Sequence, residues 1–381
     1  MQFWKNRINP RVNSLINETK YAGMLMRRYH LLGDIEDVRE ADSVVRRVDT
    51  AFNQKEAAVA LSLVVHSILQ HRFKEADQYL QRAKQIGLKR YESFASSFDV
   101  DFELGRYSNA ALELKLMKPA ADYGYYFRRS KMEHFNGAID SAIQSMLKAA
   151  SLSEGVDYLR QVALSNAADL CIHAGQLQQA NNLYQGCIRM NSADFHSIMG
   201  LGWIALVHDK NDSLAERLFL LALAHTKLPD PLFKLAQMAE ARGDSALELT
   251  YACRFEALVT RPGYGNMYNK YLIELYTGIL NEPAKALALA YKEINNRATP
   301  QTYAWYAWCL LAGNKKAEAY HVFAQFVSGK PLEGLELYWM GKMMRVLGKG
   351  YNAQQFFRAA DKNKYDLSPA MIKDLEKSLE E

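Results

Sequence analysis

Three histidines are the side chains with the clearest potential for chemistry. His134, His173 and His208 fall near the ends of the first helices of three successive predicted pairs, so stacking of those helices would align them in a row, and neutral imidazole is a common metal ligand. A row assembled from three separate segments has loose spacing, and no cysteine joins it. Hydrogen bonding to a partner suits these histidines better than ligation. Cys171, Cys187, Cys253 and Cys309 make no C-x-x-C pair and are too scattered for a disulfide framework. They read as small buried hydrophobes, with a Cys171–Cys187 bridge left open only for an exported chain. No H-E-x-x-H, G-x-S-x-G or phosphate-loop frame occurs. Gly200-Leu201-Gly202 lies within a predicted helix, where glycine permits close packing, and Gly348-Lys349-Gly350 is a turn. The expectation is a chain that is not an enzyme and carries no catalytic residue, metal or cofactor.

The elements behind these residues are set by a beat of alanines. Ala76, Ala110, Ala142, Ala180 and Ala215 recur at intervals of about 34 residues, and Ala319 and Ala353 resume the spacing. Each has a large apolar residue four positions after it, and the first four have an apolar residue three before, as in Phe73, Ala76 and Leu80 or Ile139, Ala142 and Met146. That frame predicts arrays of helical pairs, in which no unit buries its own apolar face and stacked neighbours must do so together. Turns at Gly105, Gly175, Gly243, Gly313 and Gly348 stop one helix and start the next. The 49% hydrophobic content supports a core, and only 9 prolines leave long stretches free to be helical. The formal charge of +5 is spread along the chain without a basic block, Arg128, Arg129 and Lys131 being the nearest approach to one, so nucleic acid is not favoured as a partner. No apolar stretch is long enough to span a bilayer. The expected compartment is the cytoplasm, with the periplasm or cell envelope as the alternative if an export signal has been removed.

These residues resemble the tetratricopeptide repeat family, whose pattern is W-x-x-L-G-x-x-Y, then A-x-x-x-F, then P. Second helices match it through Ala180 with Tyr184, Ala215 with Phe219, Ala319 with Phe323 and Ala353 with Phe357. First helices place Phe94, Tyr126, Leu164, Tyr303 and Leu337 where the family has tryptophan, with Ala168 and Gly341 at the small position four residues later. The resemblance implies an all-α fold, a right-handed superhelical solenoid of bacterial type with about ten helical pairs. Residues 1–56 would form an N-terminal pair or cap, its helices spanning 13–48. Residues 57–367 would hold the tandem repeats, starting near 57, 91, 123, 161, 196, 229, 264, 300 and 334. Residues 368–381 would be a capping helix with a wet outer face. The register between 229 and 299 is irregular, because the alanine slot falls on Glu248 and the next turn is lengthened at residues 278–283.

In that family the first helix of each pair lines a concave surface, which implies where a partner would sit. The implied partner-binding positions are Phe102, Phe127, Lys131, His134 and Phe135, then Asp169, His173, Ile204 and His208. They continue with Phe233, Gln237, Trp308, Tyr338, Lys342 and Arg345. Neither the family's carboxylate clamp nor its asparagine ladder is present; one equivalent inner position reads Val65, Asp99, Lys131, Asp169, Ile204 and Gln237. The leading function is a scaffold or adaptor holding a protein or peptide segment in the groove. The alternatives are a regulatory or sensor module for a small ligand or peptide, and an assembly subunit that forms homo-oligomers through its outer helices. The helix Ala57–Leu69 is apolar nearly all round, so its inner side is expected to be covered by the preceding pair, or else to be a partner surface.

Overall fold

The computed structural model describes residues 1–8, 14–153 and 155–381. Asn13, where the first pair was expected to begin, lies outside them. Among the described residues the chain is helical and contains no strand. It divides into two compact units.

The first unit comprises Met1–Pro119 together with the later segments His225–Pro229 and Val259–Met267. A short helix α1 (Gln2–Lys5) precedes three pairs: α2 (Leu15–Leu32) with α3 (Ile35–Ala51), α4 (Ala57–Leu69) with α5 (Phe73–Ile86), and α6 (Arg90–Glu103) with α7 (Tyr107–Met117). The two later segments supply donors to helix C-termini, whose last carbonyls have no partner within the helix. The amide of Lys227 donates to the Leu32 carbonyl at 2.7 Å, and Asn266 donates from its amide to Gln70 and from Nδ2 to His71, both at 3.0 Å. Gly265 makes the second contact feasible. Its φ is 61°, and a Cβ there would lie 2.2 Å from the Gln70 carbonyl oxygen, so both its conformation and its surroundings require glycine.

The apolar helix α4 buries Val59, Ala60, Leu63 and Val64. The preceding pair does not close over the rest of it. Val65 stays 59% exposed, Ala58 is exposed, and Leu61, Ile68 and Leu69 are half-buried, so one stripe along the helix stays open.

The second unit comprises Ala120–Ala224, Asp230–Leu258 and Tyr268–Glu381. Its pairs are α8 (Tyr123–Phe135) with α9 (Ile139–Leu152), α10 (Asp157–His173) with α11 (Leu177–Met190), and α12 (Phe195–Val207) with α13 (Asp212–His225). Then come α14 (Asp230–Arg242) with α15 (Ser245–Val259), α16 (Asn269–Thr277) with α17 (Pro283–Asn296), and α18 (Pro300–Ala312) with α19 (Lys316–Val322). The last of these runs on into a π-helical turn, Phe323–Val327. The final pair is α20 (Gly334–Leu347) with α21 (Ala353–Asp361), followed by a 3-10 turn at Lys364–Asp366 and α22 (Pro369–Glu380). Side-chain caps start several helices: Asp122 accepts from the Tyr125 amide, Asp194 from Ser197, and Thr299 forms a capping box with Thr302. Two starts differ from the sequence expectation. The helix expected near residue 161 begins at Asp157, and the one expected near 264 begins at Asn269, because the preceding residues belong to the first unit.

The alanine frame is the seam of the array. Ala76, Ala110, Ala142, Ala180, Ala215 and Ala319 are fully buried, as are Leu80, Tyr184, Phe219 and Phe357. Ala353, at the first turn of α21, is only half-buried. Facing helices approach closely at several glycines of the first helices. A Cβ at Gly200 would lie 2.3 Å from the Tyr184 ring, one at Gly202 2.8 Å from Phe219, and one at Gly341 2.5 Å from Phe357. Gly341, one of the small positions expected in the first helices, therefore receives Phe357 of its second helix, as dense packing requires. In α15 the buried small and large residues are Ala252 and Phe255, while Glu248 is half-buried. One turn also differs: Gly313 has φ −81°, and its neighbour Asn314 takes the left-handed conformation at φ 61°.

Candidate functional site

Six first helices of the second unit, α8, α10, α12, α14, α16 and α20, send side chains into one hollow of about 520 Å³. The periodicity of a helix decides which ones, since residues three and four apart share a face. Asp230, Phe233, Lys234 and Gln237 come from α14, and Lys270, Tyr271 and Glu274 from α16. Lys131 and His134 come from α8, Asp169 and His173 from α10, and His196 and Trp203 from α12. Glu333, Leu335 of α20, the 3-10 turn residues Tyr365 and Asp366, and Met146, Tyr184 and Phe255 of second helices also line it.

Most of the cationic groups are committed to partners. The His196 Nε2 lies 3.0 Å from Asp169, which also accepts from the Tyr184 hydroxyl at 2.5 Å. The Asp169 charge raises the His196 pKa to about 9, against the opposing effect of burial. The His196 side chain is nevertheless 57% accessible. Lys270 pairs with the buried Glu336 at 3.0 Å, and Glu336 also accepts from the Trp305 indole at 2.6 Å. Burial works against the Lys270 charge, yet Glu336 and Glu333 hold its pKa above the ordinary lysine value. Lys234 places its ammonium 3.4 Å from the centre of the Trp203 ring and 3.3 Å from Gln237 Oε1. Burial pushes its pKa down to about 8, although Glu274, Asp230 and Asp366 all favour its charge. Glu274 accepts from Gln237 Nε2 at 2.9 Å, and burial pushes its pKa up to about 7.

Of the residues expected on the inner face, Lys131, His134, Asp169, His173, Phe233 and Gln237 meet in this hollow. The histidine row is broken. His134 packs edge-to-face on His173 with ring centres 4.6 Å apart, while His208 lies beside Tyr365 at 6.1 Å, in a separate depression shared with Ile204. His173 is bonded to the chain's own 3-10 turn, through Nδ1 to Asp366 at 2.6 Å and Nε2 to Asn363 at 3.0 Å. The Trp203 indole also donates to the Tyr365 carbonyl at 2.7 Å. Among the described residues no group of three His, Cys, Asp or Glu could hold a metal. All four cysteines are free thiols, including Cys171 and Cys187.

The remaining positions have other neighbours. Trp308 stacks on Trp339 at 5.5 Å and donates to Thr277 Oγ1 at 3.0 Å, at a smaller recess of about 170 Å³ that Tyr338 also lines. Tyr338 and Lys342 bond to Asp374 of α22 at 2.7 and 2.8 Å, and Arg345 donates to the Ser378 carbonyl at 3.1 Å. These three therefore face the chain's own last helix. Phe102 packs on Phe98 and Tyr107, Phe127 on Tyr123, and Phe135 is half-buried. The sequence reading missed Asp230, Lys234, His196, Lys270 and Glu274. The first two share a helical face with Phe233 and Gln237, so their spacing was available as a signal.

Tandem pairs with small-on-large seams are the tetratricopeptide arrangement. The fold is a tetratricopeptide-like helical array. No protein-family model matches the sequence, and no curated protein matches it. Solved structures similar to it include Pseudomonas aeruginosa PilF, at 13% identity and TM-score 0.41, covering 56% of this chain and 96% of that one. A tetratricopeptide repeat protein from Parabacteroides merdae is 13% identical with TM-score 0.39, covering 68% of this chain and 99% of that one. The apo form of the quorum sensor NprR from B. thuringiensis is 12% identical with TM-score 0.46, covering 84% and 98%. Among the described residues no helix is long and apolar enough to cross a membrane.

Proposed function

We propose that this chain is a non-catalytic scaffold that holds a peptide or protein segment against the inner helices of its repeat pairs, with the hollow of the second unit as the main seat. One observation carries the reading: six first helices deliver aromatic, apolar and charged side chains to a single concave space of about 520 Å³. That volume falls in the range of ligand pockets, and grooves with aromatic anchors are a recurring means of peptide capture. Catalysis has less support. Among the described residues the printed side-chain partners of His173 and His196 are Asp366, Asn363 and Asp169, none of them a serine, threonine or cysteine nucleophile.

Selection of a displayed random-peptide library against the purified protein tests the proposal. Enriched peptides should lose binding to the Asp169→Lys variant and keep it with Glu318→Lys, which alters an exposed side chain of α19. Peptides that bind both variants equally would move the seat elsewhere. A selection that enriches nothing would remove the reading.

A further inference from the structure

The inner face of the second unit already carries a segment of this chain. Residues 363–366 lie against α10 and α12 and take polar atoms that a bound peptide would use. Asp366 accepts from His173 Nδ1 at 2.6 Å, which leaves Nε2 to accept from Asn363 Nδ2 at 3.0 Å, and the same Nδ2 lies 3.1 Å from the His173 carbonyl oxygen. The Trp203 indole donates to the Tyr365 carbonyl at 2.7 Å. Gly334, at the start of α20, makes room for this approach, since a Cβ there would lie 2.8 Å from the Asn363 carbonyl oxygen. Tyr365 belongs to the walls of two cavities at once, the hollow of about 520 Å³ and a neighbouring depression of about 490 Å³. The expected inner-face positions are thereby divided: Asp169 and His173 line the first, Ile204 and His208 the second.

The hold on that face is polar. No residue of the 3-10 turn Lys364–Asp366 is buried, whereas the next two, Leu367 and Ser368, are fully buried. The chain is thus anchored at Leu367, while the part on His173 and Trp203 is kept there by hydrogen bonds, which water or another segment can replace at small net cost. Resting on the reading of the hollow as a peptide seat, we propose that residues 363–366 are an internal occupant of that seat, a clasp that a bound segment displaces from His173 and Trp203, joining the two cavities into one groove along α10 and α12. Being tethered, the clasp competes at an effective concentration on the order of millimolar, so a guest binds the clasped protein more weakly than the open one.

The test uses the full chain and its Asn363→Ala, Asp366→Ala variant, which removes the side-chain bonds to His173. The probe is the clasp supplied in trans, an acetylated, amidated peptide of residues 361–368, titrated by calorimetry. The variant should bind it about tenfold or more tighter than the wild type, the factor expected when a hydrogen bond to a charged group no longer competes. The same peptide with both alanines should lose that advantage. Equal affinity for the two proteins, tighter binding to the wild type, or no binding to the variant at millimolar concentration would overturn the clasp. A second measurement decides the matter even if the variant fails to fold. On wild-type protein, peptides enriched by the library selection should speed hydrogen exchange at the amides of Asp366 and Leu367, which donate to Asn363 and Lys364 within the turn; unchanged or slower exchange there would overturn displacement. If such peptides bind and lose binding to Asp169→Lys, the seat survives without the clasp; if the selection yields none, both fall.

Discussion

Gly341 and Gly23 both lie inside helices, and replacement by alanine carries opposite signs at the two. Alanine is the better helix former by about 1 kcal/mol in a helix interior. At Gly23 of α2 an added Cβ would meet no atom within 4 Å, so Gly23→Ala should stabilise by about that amount. At Gly341 of α20 the same methyl would lie 2.5 and 2.6 Å from Cε1 and Cδ1 of Phe357. That ring is fully buried, with the Arg345 guanidinium 4.7 Å from its centre and Tyr338 at 6.4 Å. A ring buried in this way yields only by moving its neighbours. Overpacking of this kind costs about 1–3 kcal/mol, so the propensity gain is outweighed and a net loss of about 1 kcal/mol is expected. Urea unfolding followed by far-ultraviolet circular dichroism reads the sign. Hydrogen exchange should place the loss in α20–α22, since repeat arrays respond locally. Shrinking the ring in Gly341→Ala, Phe357→Leu should recover part of it, with a coupling of about 0.5 kcal/mol or more. Stabilisation by Gly341→Ala comparable to that at Gly23 would refute the close-approach argument.

Two further outcomes follow from the site and the thiols. His196 should titrate near pH 9 rather than at its ordinary 6.5; because its folded pKa is raised, its pairing with Asp169 contributes below the unfolded value and is lost as pH rises through about 9. Asp169→Asn should return the midpoint towards 6.5 in an NMR titration, and an unchanged midpoint would deny Asp169 its role. In native protein a thiol reagent should react quickly with Cys253 alone, because Cys171, Cys187 and Cys309 are buried and burial raises their thiol pKa values. Rapid reaction of a second cysteine before unfolding would contradict that burial.

The helical pairs were legible because the alanine frame is local physics: a small residue and a large one at fixed helical spacing must meet a neighbouring helix, and Ala180 with Tyr184 or Ala215 with Phe219 do so. Six of the expected inner-face residues reached the hollow for the same reason, since helical periodicity carries from sequence into space. Tertiary structure alone decided what those faces meet. Nothing near His173 in the sequence points to Asn363 and Asp366, and nothing near Tyr338, Lys342 and Arg345 points to α22. The placement of residues 225–229 and 259–267 in the first unit was equally out of reach, because the carbonyls they satisfy lie at the ends of α2 and α4, far away in the chain. Periodicity encodes which side of a helix is apolar; which distant segment arrives there depends on long-range closure, for which spacing along the chain carries no signal.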